Sequence, residues 1–122
     1  ADLLASHLSG ASVVAFPSSY EGFGLPVVEA MAAGVPVLVS DGTPAADLVG
    51  GGSVVPAVAG PDRWANELER LLVDDHHRRA LVDAGRLGAT AHTWEASADA
   101  LERAWRLLLA TAPPAARRGS EA

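Results

Sequence analysis

The sequence predicts an α/β fold: a three-stranded parallel sheet with flanking helices, passing into a helical C-terminal part. Three observations carry this. Two apolar runs, Val13-Val14-Ala15-Phe16 and Pro36-Val37-Leu38-Val39, bracket a Gly-rich turn and a helical stretch; that order is a strand–helix–strand unit. The runs are continuous rather than alternating, as in strands buried on both faces of a parallel sheet. Beyond residue 60 the apolar residues recur at helical spacing.

Each element follows from local signals. Residues 1–8 read as a short helix with Leu3, Leu4 and Leu8 on one side, stopped by Ser9-Gly10. Ser12 to Phe16 is the first strand, ended by Pro17-Ser18-Ser19. Leu25 to Ala33 is the next helix, with Pro26 suited to its first turn and Gly34 to its C-terminal cap. Val35 to Ser40 is the second strand. The turn Asp41-Gly42-Thr43-Pro44 leads into a short helix over Ala45 to Val49, broken by Gly50-Gly51-Gly52. Ser53-Val54-Val55 is a brief third strand.

Gly60-Pro61-Asp62 starts a helix whose Trp64, Leu68, Leu71 and Leu72 share a face. Asp74-Asp75 caps the next helix, which carries Ala80, Leu81 and Ala84 and is weakened by Gly85 and Gly88. Thr93 caps a last helix through Ala110, with Trp94, Ala98, Leu101, Trp105 and Leu108 as one stripe. Residues 111–122, with Pro113-Pro114, read as a flexible tail.

Bulk properties narrow the function. The 122 residues suit one modest domain, and 49% hydrophobic content supports a buried core. With no cysteine there is no disulfide or thiolate metal site, which agrees with a cytoplasmic protein. The net charge is −6, all nine basic residues are Arg, and only Arg78-Arg79 and Arg117-Arg118 adjoin, so a nucleic-acid surface is disfavoured. No apolar run is long enough to span a bilayer, and no signal peptide is visible. The chain opens on Ala1 and a helix with no strand before it, and so reads as cut from something longer.

The chemistry concentrates in Tyr20-Glu21-Gly22-Phe23-Gly24-Leu25-Pro26-Val27-Val28-Glu29. Gly22 and Gly24 tolerate positive φ and let a ligand approach the backbone. The amides of Phe23, Gly24 and Leu25, with the helix dipole, favour a phosphate or diphosphate. Glu29, about 5 Å along the helix axis, can accept hydrogen bonds from two ribose hydroxyls. Glu21, on the loop, can do the same for a sugar on the other side of the diphosphate. On spacing alone a plainer reading stands beside this one: a Glu early in a helix serves the dipole, and Gly-x-Gly makes a turn. The third glycine of a dinucleotide fingerprint is absent, with Val27 in its place.

Three runs carry a resemblance: Phe16-Pro17-Ser18, Tyr20 to Pro26, and Glu29-Ala30-Met31-Ala32-Ala33-Gly34-Val35-Pro36-Val37. Together they resemble the signature of the retaining glycosyltransferases of family 4, in the GT-B group. Ser40-Asp41-Gly42, the turn at Gly50 and Thr93-Trp94-Glu95 extend the likeness over nearly all of residues 1–110. The resemblance implies a partial Rossmann-like domain, the second half of the C-terminal, donor-binding domain of such an enzyme. It implies that Glu29 binds the nucleotide ribose, that Glu21 lies near the donor sugar and its leaving phosphate as the catalytic candidate, and that Gly22, Phe23, Gly24 and Leu25 line the donor. Retention in this family is ascribed to front-face displacement aided by the departing phosphate, and no metal is generally needed. Asp47 stands where the family often has Glu. The family's diphosphate-binding Arg and Lys lie upstream of Ala1, and this chain has no Lys.

Other constellations are weaker. His76-His77 beside Asp74-Asp75 points two rings about 100° apart on a helix, a capped and solvated start rather than a metal site. Trp64, Trp94 and Trp105 fit helical core stripes better than a sugar-stacking platform; the Trp94–Leu108 stripe is alternatively the surface that covers the other GT-B domain. Ser18-Ser19 can donate to a phosphate or cap the turn. The expected partners are a nucleotide sugar and a missing N-terminal GT-B domain; peripheral membrane contact of the parent enzyme stays open, as do the base, the sugar and the acceptor. The expected state of the isolated chain is inactive, and the rival expectation is a non-catalytic, truncated or degenerate module that binds a nucleotide or a partner.

Overall fold

The computed structural model describes residues 2–50 and 53–111, in the order α1 (Asp2–Gly10), β1 (Val14–Phe16), α2 (Leu25–Ala32), β2 (Val37–Ser40), α3 (Pro44–Leu48), β3 (Val54–Val55), α4 (Pro61–Val73), α5 (Asp75–Ala89) and α6 (Trp94–Thr111). It divides into two units, Ala1–Ala91 and His92–Ala122.

In the first unit the three strands form a parallel sheet in the order β1-β2-β3. Val14 pairs with Val37 and Phe16 with Val39; Val39 pairs with Val54 and Ser40 with Val55. The strand pleat sends alternate residues to opposite faces. On one face Val37 and Val39 pack with Val27, Val28, Ala30 and Met31 of α2. On the other, Leu38 and Val55 pack with Leu71 of α4, and Trp64, Leu68 and Leu81 close over them. β2 is therefore buried on both faces along its whole length. Burying a side chain such as Leu38 contributes about 1.5–3 kcal/mol.

β1 departs from the expectation of burial on both faces. Val14 and Phe16 are half-buried against the α2 side, whereas Ala15 is exposed. The strand sits at the sheet edge, and a helix covers it on one face only. Similar corrections apply to three helices. α1 runs on through Ser9 and Gly10, and Leu3 and Leu4 are exposed while Leu8 is half-buried. In α4 Leu72 is exposed, because the packed face is centred on Trp64, Leu68 and Leu71. In α5 Leu81 packs on the core while Ala80 and Ala84 face out.

Both ends of α2 are built by glycine. Gly24 is its N-cap at φ 100°. At the other end Gly34, at φ 76°, donates to Met31 O while Val35 N–H donates to Ala30 O, the paired bonds of a Schellman motif. The glycines of α5 do not interrupt it. A Cβ at Gly85 would lie 3.2 Å from Met31 Cγ, so the small residue lets α5 approach α2. Asp74 caps α5, its Oδ1 accepting from His77 N–H at 2.9 Å, and that bond holds its carboxyl below the usual aspartate value. Gly50 leaves α3 at φ 63°; Gly51 and Gly52 lie outside the described residues.

The second unit contains α6. Thr93 Oγ1 accepts from Ala96 N–H at 3.1 Å, the expected cap, and Glu102 pairs with Arg106 one turn on. None of its residues is buried: Trp94 is 82% and Trp105 60% exposed. The expectation of Trp94 and Trp105 as core residues therefore fails, whereas Trp64 is half-buried as expected. Thr111, assigned to the tail from sequence, closes this helix, and the rest of the predicted tail lies outside the described residues. Among the described residues no helix is long and apolar enough to cross a membrane.

Candidate functional site

Parallel strands bring their carboxyl ends to one edge, where crossing loops leave room for ligands. β1 ends at Phe16 and β2 at Ser40, and the loops that follow carry the polar residues of interest. The loop after β2 satisfies itself: Asp41 Oδ1 accepts from Gly42 N–H at 2.8 Å, and Thr43 Oγ1 donates to Ser40 O at 3.0 Å. Asp47 is exposed on α3.

The loop after β1, residues 17–24, delivers the chain into α2. Glu21 is half-buried there, and Ser18 Oγ donates to its Oε1 at 3.1 Å. Tyr20 is 89% exposed, and Phe23 and Leu25 are exposed beside the helix start. Gly24 is buried, and a Cβ on it would meet Ala45 Cβ at 3.1 Å. Glycine is thus required at Gly24 twice over, by its positive φ and by the approach of α3. Gly22 differs: its φ is not positive and a Cβ there would meet nothing within 4 Å. The expected conformational need therefore holds for Gly24 alone, and nothing in the fold calls for glycine at Gly22.

α2 starts without a side-chain cap and with no acidic residue in its first turn. Gly24 O accepts from Val27 N–H, and Pro26 removes one orphan donor. The positive end of the dipole is therefore not neutralised by the helix itself. Glu29 follows in the second turn, exposed, between the buried pairs Val27-Val28 and Ala30-Met31. Neither Glu21 nor Glu29 enters an ion pair among the described residues. The structure thus places Glu21, Gly22, Phe23, Gly24 and Leu25 on one loop-to-helix junction and Glu29 on the open side of the same helix. The Arg residues of this unit stand on α4 and α5, not on the loops after β1 or β2. Among the described residues no group of three His, Asp or Glu is arranged to hold a metal ion.

Two features of the junction were not foreseen. The Ser18–Glu21 bond was hidden because Ser18 served equally as a turn cap or a phosphate donor. The Gly24–Ala45 approach joins residues of separate elements; its one local sign was the small residue after Pro44.

Comparison with known proteins matches this architecture. The family model described as Glycosyl transferases group 1 matches residues 1–88. The chain is 40% identical to the D-inositol 3-phosphate glycosyltransferase of Corynebacterium jeikeium, over 89% of this chain and 26% of that protein. It is 34% identical to the O-antigen chain mannosyltransferase B of Escherichia coli, over 82% of this chain and 26% of that protein. A solved structure of sucrose-phosphate synthase from Thermosynechococcus elongatus superposes with a TM-score of 0.80 at 35% identity, covering 91% of this chain and 29% of that one. The chain spans about a quarter of the length of the curated relatives it matches.

Proposed function

Because the chain belongs to the group 1 glycosyl transferases, of GT-B fold, we propose that it is the donor half-site of a retaining glycosyltransferase. The enzyme transfers a sugar from a nucleotide sugar to an acceptor hydroxyl. One observation supports this above the others: a helix N-terminus with no side-chain cap at the carboxyl end of a parallel strand, with a carboxylate on either side of it that pairs with no cation among the described residues.

In this reading the diphosphate lies at the first turn of α2, against the backbone of Gly22, Phe23, Gly24 and Leu25. Glu29 accepts from the ribose hydroxyls. Glu21 accepts from the donor sugar beside the breaking bond between the anomeric carbon and the phosphate oxygen. The acceptor oxygen forms its bond on the same face, and its proton goes to the departing phosphate. No metal takes part. An N-terminal GT-B domain supplies the acceptor site. The 122 residues alone bind the donor weakly and do not turn it over: among the described residues no Arg stands on the loops after β1 or β2, and the acceptor wall belongs to the other domain.

The test is donor titration and sugar transfer by this chain alone and joined to an N-terminal GT-B domain, using several nucleotide sugars. Glu29→Ala is expected to raise the donor KM about tenfold, through lost hydrogen bonds to a charged acceptor. Glu21→Ala is expected to lower kcat about a hundredfold. Robust transfer by the 122 residues alone refutes the half-site reading, and an unchanged donor KM in Glu29→Ala removes its ribose role.

A further inference from the structure

We infer that Ser18 is a positioning residue for Glu21, holding its carboxylate in one orientation for a hydroxyl of the donor sugar; this rests on the donor half-site proposed above. Ser18 stands two residues beyond Phe16, which is paired to Val39 in the sheet. Pro17 between them has a fixed φ, which removes one backbone torsion from the short link between β1 and the hydroxyl. Both Ser18 and Glu21 are half-buried, and their bond is 3.1 Å.

The direction of that bond is set by chemistry. An ionised carboxylate only accepts, so the single Ser18 proton is committed to Oε1. Oε2 takes no bond among the described residues. The carboxylate is anchored through one oxygen and open at the other.

The anchor matters because the surroundings give Glu21 little else. It lies outside helix and strand, and it precedes Gly22, whose Cα has open space around it. A Glu side chain loses rotamer freedom on being fixed, and that loss opposes binding. An unanchored Glu21 meets that cost when the ligand binds; a pre-set one has met it already. Ser18 is therefore a selective lever on the sugar end of the donor. It is expected to leave the nucleotide end, near Glu29, untouched.

The experiment uses the 122-residue chain in solution. NMR side-chain couplings report the Glu21 rotamer, and amide shifts report affinity for UDP-glucose and GDP-mannose against UDP and GDP. The variants are Ser18→Ala, Ser18→Thr and Glu21→Ala. In Ser18→Ala the Glu21 couplings are expected to average, and the affinity gained from the sugar is expected to fall about fivefold. Ser18→Thr restores both, and affinity for UDP and GDP stays constant throughout. Should Ser18→Ala not fold, the isosteric pair Ser18→Thr and Ser18→Val differs only by the hydroxyl and carries the same test. If Glu21→Ala loses the sugar-dependent gain while the variants without the hydroxyl keep it, with fixed Glu21 couplings, the role of Ser18 is overturned and the half-site stands. If the wild-type chain binds the sugar nucleotides no better than UDP or GDP, or binds none of the four, both readings fall.

Discussion

α2 and α6 both carry apolar residues at helical spacing, yet they meet opposite fates. α2 is eight residues long and buries Val27, Val28, Ala30 and Met31. α6 is eighteen residues long and buries nothing, although Trp94, Leu101, Trp105 and Leu108 line one stripe. The contrast teaches that periodicity specifies a helix and a face but not what covers the face. In α2 the cover comes from both near and far in sequence: β2 follows directly after the two Schellman bonds at Gly34, and α5 packs on Met31 where Gly85 leaves room.

The largest expected difference comes from removing a leucine side chain from the sheet core of the first unit and one from α6. Leu38→Ala in the central strand is expected to lower unfolding stability by about 2–5 kcal/mol, a cavity-forming loss. Leu108→Ala in α6 is expected to stay within about 0.5 kcal/mol. Urea midpoints at constant m-value check both. Equal losses show that the α6 stripe is covered in solution.

A smaller effect sharpens the comparison at the N-terminus of α2. Gly24→Ala forces a Cβ into left-handed backbone and against Ala45, and is expected to cost about 2 kcal/mol. Gly22→Ala meets neither obstacle and is expected to lie within about 0.5 kcal/mol. Thermal melts of the two variants decide it. A large loss at Gly22 means that its open surroundings are filled in solution.

Much of the fold was legible because its signals are local. The Val13–Phe16 and Pro36–Val39 runs mark two strands, and Pro26 and Gly34 bound the helix between them. Asp74 and Thr93 announce their helices through side-chain bonds that structure and sequence agree on. What was not legible depends on neighbours distant in the chain. The exposure of Ala15 reflects the edge position of β1, which no property of Val-Ala-Phe encodes. Gly85 read as a helix breaker because propensity is local, whereas its contact with Met31 is tertiary. At the candidate site the residue types and their order were readable from Glu21 to Glu29. The anchoring of Glu21 by Ser18 was not, since a serine before a turn has several equivalent uses.

The proposed function puts a nucleotide sugar at the start of α2. It is tested most directly by mapping backbone amide shifts while the chain is titrated with UDP-glucose and, separately, GDP-mannose. Saturable shifts confined to residues 18–29 and the loop after β2 are expected, with α6 unmoved. Shifts centred on Trp94 and Trp105, or none around Gly22 to Glu29, would contradict it.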